Sequence, residues 1–513
     1  MHLSPEHKKT GRQNYFNALG VTRRDFLKAA AVAPAAGAFY FGYTQLSGDP
    51  VRAGLIGTGH QGSVLLSHSN PEYLRFTAFS DIRPSQIQRI KYGDEGKPLD
   101  AEHQGFLRKY DLSEVQFEQE VQQYDDYRQL LEDKSIELVV IALPLHLHHQ
   151  VAVEALAAGK HVFCETLMAQ NLGQCKELAR QAADSDLHFA VGHQRHYSIL
   201  YNNALSMIET NLLGDVRHIR ALWHRNNTWP VLHNTEPLFE NGILQLQDSW
   251  REAIPTPDLT MDYQSHGYES LEELVWWPLY RRTGGGLMAE SGSHQLDACS
   301  LLLGESRPLA VSGIGSKSYF EDDREVDDHV FVTLEYPGFE HPQGKHQGSD
   351  PNDIVIVTYS CLGTNAFENY GEQIMGTRGT MFIEQEQDVL LYKEAEPGET
   401  INPSLTEVVV SEKAADQAAM VTSASDAGSS ASSGWAQANA TGVSGRGYRE
   451  QLEHLAWCIR NPDSENRPRC GAGTALVNAV TAVTADLAIA KRQRIEFKAE
   501  WFDVGSDEVP DGV

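Results

Sequence analysis

Apolar and polar positions along this chain follow two different rhythms. In the first, short and nearly continuous apolar runs at residues 51–56, 74–80, 136–143, 161–164 and 187–191 read as strands buried on both faces. Helical spacing lies between them at 127–133, 150–158 and 169–183, and Gly159 closes the second of these. Such alternation predicts a doubly wound sheet over about residues 50–195. Residues 92–123 are charged and poorly periodic and read as a surface insertion. From Val216 the second rhythm begins. Strand-like runs at 216–223, 309–315, 330–336, 354–360, 372–375 and 380–384 are joined by turns and predict a mostly antiparallel sheet, with one long helix at 287–303 among them. Residues 227–276 form an aromatic and acidic insertion. Residues 411–444 are rich in Ala, Ser and Gly and read as a flexible segment. Amphipathic helices at 448–460 and 474–489 are expected to pack back on the body. The expected fold class is α/β followed by α+β: a leader at 1–48, a doubly wound domain at 49–195 and a second domain at 196–500.

The first strand carries chemistry. Residues 51–56 run into Gly57-Thr58-Gly59-His60-Gln61-Gly62, and a helix start follows at Ser63. Gly57 lets the backbone turn tightly off the strand. Gly59 leaves room for a pyrophosphate at the main chain. Gly62 lets helix and strand pack closely, and the helix N-terminus offers free N–H groups and a positive dipole end. Asp81 ends the next strand-like run, where an acidic residue binds an adenosine ribose; this favours NAD. Arg83 stands ready for a 2′-phosphate, so NADP stays open.

Charge and the N-terminus narrow the picture. Lys and Arg number 42 against 70 Asp and Glu, a net charge of −28, which repels a phosphate backbone and excludes nucleic acid as a partner. The first 45 residues are read as lying outside the fold. Thr22-Arg23-Arg24-Asp25-Phe26-Leu27-Lys28 precedes an apolar, Ala-rich stretch at 29–43, which resembles a twin-arginine export signal. The stretch is short for a membrane span and holds Pro34, so the mature protein is expected to have no integral span. Ala36-Gly37-Ala38 is a weak match to a cleavage site. The expected location is the periplasm or cell envelope. The twin-arginine route carries folded proteins, which suits a chain that takes up a tightly held cofactor before export. The six cysteines form no C-x-x-C pair, so the fold is read as independent of disulfides, with Cys164 and Cys299 as small buried apolar groups.

Three polar constellations follow the glycine loop. Pro144, His148 and His149 come after the apolar run 136–143, at a strand end where such sheets bind ligands, so they are expected to face the nicotinamide. Gly192-His193-Gln194-Arg195-His196-Tyr197 lies at the hinge between domains; if extended, it puts His193, Arg195 and Tyr197 on one face. Gly284-Gly285-Gly286-Leu287-Met288-Ala289-Glu290-Ser291-Gly292-Ser293-His294-Gln295-Leu296-Asp297 is the third. On a helix Glu290, His294 and Asp297 share a polar stripe, and a carboxylate beside an imidazole makes the ring a better general base.

In combination these stretches resemble the Gfo/Idh/MocA family of sugar-linked, nicotinamide-dependent oxidoreductases. The resemblance rests on the Gly57 loop, Leu143-Pro144 with His148, Gly159-Lys160-His161-Val162-Phe163-Cys164-Glu165, Gly284 to Asp297, and Gly376-Thr377-Arg378-Gly379-Thr380. It implies a Rossmann domain followed by an α/β domain whose open antiparallel sheet shapes a sugar site and often joins subunits, so a homo-oligomer is expected. It also implies hydride transfer between the nicotinamide and a carbinol carbon, with a base taking the hydroxyl proton. Many members end the Gly-Lys-His-Val strand with Glu-Lys-Pro, in which Glu positions the nicotinamide and Lys moves the proton. This chain reads Glu165-Thr166-Leu167, and threonine holds no mobile proton near neutral pH. The family's helix motif usually has Asp where Glu290 stands. His294 matches the family's helix histidine and is the expected base, with Glu290 as its partner and His193 and His148 next in line. Pro144 and Glu165 join Gly57, Gly59, Gly62, Asp81 and Arg83 as expected cofactor contacts.

Three functions compete at this point. One is a sugar oxidoreductase in which His294 replaces the lysine. The second is a glycosidase of the same fold, which oxidises C3, eliminates the aglycone and re-reduces with recycled NAD; such members also lack the lysine. The third is a sugar-binding protein that keeps NAD as a structural part. A metal centre is not expected, because His146, His148 and His149 complete no ligand spacing with a carboxylate. The partner is a carbohydrate, and Trp229, Trp250, Trp276 and Trp277 are available to stack on a pyranose or to pack a subunit contact.

Overall fold

A computed structural model describes residues 3–20, 40–94, 102–230, 232–233, 236–237, 239–240, 243–244, 246–394, 446–463 and 465–510. The twin-arginine motif, Ala36-Gly37-Ala38 and the 411–444 segment lie outside these residues. The first sheet is built from β1 (Val51–Ile56), β2 (Leu74–Ser80), β3 (Gln122–Tyr124), β4 (Leu138–Ile141), β5 (His161–Cys164) and β6 (Phe189–Val191). Its order is β3-β2-β1-β4-β5-β6, and every pair is parallel. Strand order reverses between β1 and β4, so the crevice above their C-terminal ends is the place where such a sheet binds ligands.

The apolar runs are continuous because both faces are covered. Leu55, Phe76, Val140 and Phe163 pack with Phe106, Phe117 and Leu452 on one side. Ile56, Val139, Ile141 and Val162 pack with Val151, Leu178 and Leu476 on the other. Each such side chain contributes roughly 1.5–3 kcal/mol by leaving water. The helices that cover the sheet include α2 (His60–His68), α3 (Pro84–Tyr92), α6 (Tyr127–Glu132), α7 (Leu145–Ala157) and α8 (Leu172–Ala183). Residues 92–123 are not a mere surface insertion. Two short helices, α4 (Gly105–Lys109) and α5 (Glu114–Glu120), place Phe106 and Phe117 against Phe79 at ring distances of 5.6 and 6.4 Å, and β3 forms the sheet edge. Each helix offers one or two anchors rather than a stripe, which is why no period is visible.

The second sheet joins β7 (Val216–His224), β8 (Ala310–Ser316), β9 (His329–Pro337), β10 (Ile354–Leu362), β11 (Tyr370–Gly376), β12 (Gly379–Glu384), β13 (Asp388–Lys393) and β14 (Ile495–Glu496) in the order β13-β12-β11-β7-β10-β9-β8-β14. Only β7 and β10 run parallel. β9 and β10 alternate buried and open positions, so one face packs on α9 (Ile199–Glu209), α10 (Ser293–Leu302) and α12 (Ala472–Lys491) while the other is left open. The pattern missed β13 and β14. The expected single helix at 287–303 is a π-helical turn, Met288–Gly292, running into α10. α11 (Tyr448–Arg460) packs on the first sheet, and α12 is long and apolar enough to cross a membrane by length and composition but is buried against both cores.

The leader is partly folded, contrary to expectation. α1 (Pro5–Ala18) starts at Ser4, whose Oγ accepts from the His7 amide, and lies on β13. Arg12 donates two hydrogen bonds to Asp388, the Lys8 ammonium reaches Glu384 at 2.8 Å, and Asn14 donates to the Leu391 carbonyl at 2.9 Å. Tyr15, Phe16 and Leu19 enter the core of the second sheet. Charge on one side of this helix and aromatic residues on the other hide an amphipathic helix inside a stretch that looks like a basic leader.

Candidate functional site

The glycine loop has the shape its residues dictate. Gly57 sits at φ +88°, and a Cβ there would stand 2.3 Å from the Ala142 carbonyl oxygen. A Cβ on Gly62 would stand 2.2 Å from the Gly57 oxygen. Gly59, in contrast, has nothing within 4 Å of the place of its Cβ, so the loop opens on free space there. Gly59 is also the N-cap of α2 and brings no side chain to its end, which leaves the first amides of the helix to a ligand. These residues fit a pyrophosphate. Asp81 Oδ2 accepts from the Thr58 amide at 2.7 Å and the Thr58 hydroxyl at 3.0 Å, and Oδ1 accepts from the Arg83 amide at 2.8 Å. Burial raises the Asp81 carboxyl above its ordinary pKa, against the pull of these hydrogen bonds. Arg83 is already committed: its guanidinium is paired with Asp258 at 2.9 Å.

The other end of the crevice is where the two halves of the chain meet. Pro144 caps α7 at the end of β4. Glu165 follows β5, accepts from the Gln61 amide group at 2.9 Å, and lies against Gly192, where a Cβ would come within 2.6 Å of its Oε2. Burial pushes its carboxyl up to about 7. Gly285 passes close to Leu145 at the start of α7, and a Cβ there would stand 2.8 Å from Leu145 Cδ2. The Gln170 side-chain amide donates to the carbonyls of Arg281, Arg282 and Gly284, which ties the glycine run to the first sheet.

The helix at this junction presents Glu290 and His294, both half-buried. His294 Nε2 lies 3.5 Å from Thr166 Oγ1. Burial, with the nearby charge of Arg195, pushes the imidazole down to about 3, so the ring is neutral near pH 7. Burial pushes the Glu290 carboxyl up to about 8, opposed by a hydrogen bond from the Gly285 amide. No hydrogen bond joins Glu290 to His294 among the described residues; the π-helical turn between them breaks the expected pairing. The imidazole partner on this helix is Asp297. Its Oδ1 accepts from His196 Nε2 at 2.9 Å and from Asn478, and its Oδ2 lies 3.7 Å from His193 Nδ1. Burial works against its charge, but His196 and His193 win and hold the carboxyl down at about 2. The His193 ring approaches the His294 ring edge-on at 6.1 Å, so His193 stands behind His294.

Other expectations fall elsewhere. His148 is buried with Nδ1 on the Leu167 carbonyl at 2.7 Å and Nε2 on the Leu143 carbonyl at 2.8 Å, so neither nitrogen is left for a substrate. His149 pairs with Glu177 on the surface. Residues 194–197 form a 3-10 turn, not an extended segment. Arg195 is buried and binds Glu386 and the His294 carbonyl, while Tyr197 meets His454 at 2.7 Å. Trp250 and Trp277 pack against the two cores, Trp276 donates to the Glu252 carbonyl at 2.8 Å, and the Trp229 side chain lies outside what is described. The aromatic residue at the site is one the sequence reading passed over, Trp223 at the end of β7. Its ring stacks on His294 at 5.9 Å and lies 5.1 Å from Tyr370.

Comparison with known proteins agrees with this architecture. Residues 51–193 match the oxidoreductase family with an NAD-binding Rossmann fold, and residues 259–381 match the GFO/IDH/MocA C-terminal domain. The chain belongs to the GFO/IDH/MocA family. Residues 20–39 match the twin-arginine translocation signal, which indicates export by that route. An uncharacterized oxidoreductase of Schizosaccharomyces pombe is 28% identical over 260 residues, 51% of this chain and 56% of the relative. A glycosyl hydrolase family 109 protein of Shewanella amazonensis is 29% identical over 232 residues, 41% of this chain and 48% of that one. The chain thus spans about half the length of the curated relatives it matches. Levoglucosan dehydrogenase in complex with NADH and L-sorbose aligns with a TM-score of 0.52 at 14% identity, over 88% of this chain and 99% of that one. The WlbA dehydrogenase of Bordetella pertussis in complex with NADH and UDP-GlcNAcA aligns with a TM-score of 0.56 at 13% identity, over 88% and 99%. At such identities the solved structures speak for the fold.

Proposed function

We propose that the protein is an exported oxidoreductase that moves hydride between a nicotinamide dinucleotide and a hydroxyl-bearing carbon of a sugar or sugar derivative. The observation that carries this reading is the approach of His294 Nε2 to Thr166 Oγ1 at 3.5 Å, which brings the helix of the second half to the strand end of the first. A bound dinucleotide supplies hydride acceptance and donation at its nicotinamide C4. The chain's own residues do the rest. The open space at Gly59 and the α2 amides take the pyrophosphate, Asp81 takes ribose hydroxyls, and Pro144 and Glu165 flank the nicotinamide end. Glu290, with a carboxyl near 8, takes the substrate hydroxyl proton, because a base works best when its pKa lies near the working pH. His294 stays neutral and fixes the hydroxyl by a hydrogen bond; at about 3 it is too weak a base for the role first expected of it. Trp223 and Tyr370 offer aromatic faces to a pyranose ring.

Two observations favour a second reading, a glycosidase in which the hydride taken from the sugar is returned in the same turnover. Thr166 stands where proton-transferring lysine is usual, and three further relatives from Shewanella strains called glycosyl hydrolase family 109 proteins share 24 to 27% identity with this chain. The work place in either reading is the periplasm or cell envelope. A homo-oligomer is supported by Ile314 and Phe331, 65% and 52% exposed, which pair across β8 and β9 on the open sheet face. The test begins with denaturing the purified protein and identifying any released nicotinamide dinucleotide. Nitrophenyl glycosides are then offered with no added cofactor, and free sugars with added NAD. Net NAD reduction supports the dehydrogenase, and nitrophenol release without added cofactor supports the glycosidase. Dinucleotide binding with neither activity leaves the binding-protein alternative in place of both.

A further inference from the structure

A carboxylate from the second half of the chain fills an anion-binding set in the first half. At the start of α3, Arg83 is the N-cap, Pro84 holds the first helical position and Ser85 the second. Arg83 Nε and Nη2 donate to Asp258 Oδ2 at 3.0 and 2.9 Å. Ser85 Oγ donates to the same oxygen at 2.6 Å, and the Ser85 amide donates to Oδ1 at 2.9 Å. Asp258 is 0% exposed. An arginine fork, a serine hydroxyl and an amide at a helix start are the groups with which proteins hold phosphate. The set adjoins Asp81, which accepts from the Arg83 amide.

Rossmann clefts read the adenosine ribose in one of two ways, with an acid for a free 2′-hydroxyl or an arginine for a 2′-phosphate. This chain carries both side chains, so their availability decides. We propose that Asp258 sets the cofactor choice: it occupies the anion set of Arg83 and Ser85 that a 2′-phosphate needs, so the cleft takes NAD and rejects NADP. The inference rests on the dinucleotide reading of the crevice. Residues 227–276 look like an insertion concerned with substrate, yet they contribute this residue to the cofactor side. A phosphate entering there would have to displace a buried carboxylate from four donors, and would meet its negative charge as well as that of Asp81. Removing Asp258 frees the arginine fork, the hydroxyl and the amide together.

The experiment incubates full-length protein with equal NAD and NADP, removes free nucleotide, denatures the protein and reads the released ratio by mass spectrometry. Wild type is expected to release NAD almost alone. Asp258→Ala is expected to raise the NADP share by about tenfold or more, and Asp258→Asn, which keeps the shape of the contact, by less. Arg83→Ala combined with Asp258→Ala should lose the gain, because the freed guanidinium is its source. An unchanged ratio in both folded Asp258 variants, checked by their melting temperatures, overturns the proposal, as does a wild type that already takes both nucleotides equally. Release of neither nucleotide from wild type is a different failure; it removes the dinucleotide reading itself and this inference with it.

Discussion

Glu290 and His294 lie four residues apart and are driven in opposite directions by one cause. Burial disfavours whichever form is charged, so it lifts the carboxyl to about 8 and lowers the imidazole to about 3. Oxidation of an alcohol requires the base form of the group that takes the proton. The rate of sugar oxidation, as kcat/KM, should therefore rise with pH through about 8. Glu290→Gln should abolish that limb and cost about 10²–10⁴ in kcat, while His294→Ala should lower turnover and leave the limb in place. A pH profile of the three proteins checks this, and a limb that survives in Glu290→Gln places the base elsewhere. Both residues are legible in the sequence from their spacing. Their relation is not, because one π-helical turn alters which side chains face each other. His148 was misplaced for a similar reason: a histidine after a strand end looks available, and only the fold shows two carbonyls on its two nitrogens. Trp223 and Asp258 carry no local signal at all. Their roles come from contacts 71 residues away at His294 and 175 residues away at Arg83.

At the scale of elements, the glycine loop shows how much local sequence determines. Three glycines are spaced for a strand, a turn and a helix, and the backbone follows that spacing: Gly57 turns at φ +88° and Gly62 packs against the Gly57 carbonyl. They should nevertheless respond differently to substitution. Gly62→Ala drives a Cβ to 2.2 Å from the Gly57 oxygen and should destabilise the fold by about 1–3 kcal/mol, as overpacked sites do. Gly59→Ala places its Cβ in empty space, so the melting temperature without nucleotide should stay near wild type while dinucleotide affinity falls. Thermal unfolding with and without NAD separates the two effects, and a Gly59→Ala protein that binds NAD normally would show that the open space serves something else. Strands with both faces buried were equally legible, because burial leaves an uninterrupted apolar run. The elements that escaped notice are those held by single anchors or by distant partners. α4 and α5 each rest on a buried phenylalanine. β13 is covered by α1, a helix that looks like leader until its salt bridges to Glu384 and Asp388 are seen.

For the whole molecule, burial of carboxyl groups ties stability to pH. Glu165, Glu372 and Glu450 are raised to about 7 and Glu290 to about 8, each chiefly by burial. In the unfolded chain these groups ionise near their ordinary value of 4.5, so above it the folded state binds more protons than the unfolded state. A raised carboxyl therefore supports the fold at low pH and loses that support as pH rises through the folded value. His196, raised because Asp297 outweighs burial, acts with the same sign. The lowered histidines, among them His68, His161 and His454 at about 4, act in the opposite sense, most strongly below 6.5 and with fading weight for about one pH unit above it, where the unfolded ring still holds part of its proton. From about pH 7.5 to 8.5 they are nearly neutral in both states, and the carboxyls, Glu290 foremost, are left to set the slope. The melting temperature should fall across that window at constant ionic strength. Glu450 is buried in α11, and its Oε2 has no hydrogen-bond partner among the described residues. Glu450→Gln keeps its shape and removes its titration, so that variant should show a shallower fall and unchanged dinucleotide binding. A wild-type melting temperature that is flat from 7.5 to 8.5 would mean that these carboxyls are hydrated in the folded protein, and the raised value assigned to Glu290, with the pH limb that follows from it, would fall too.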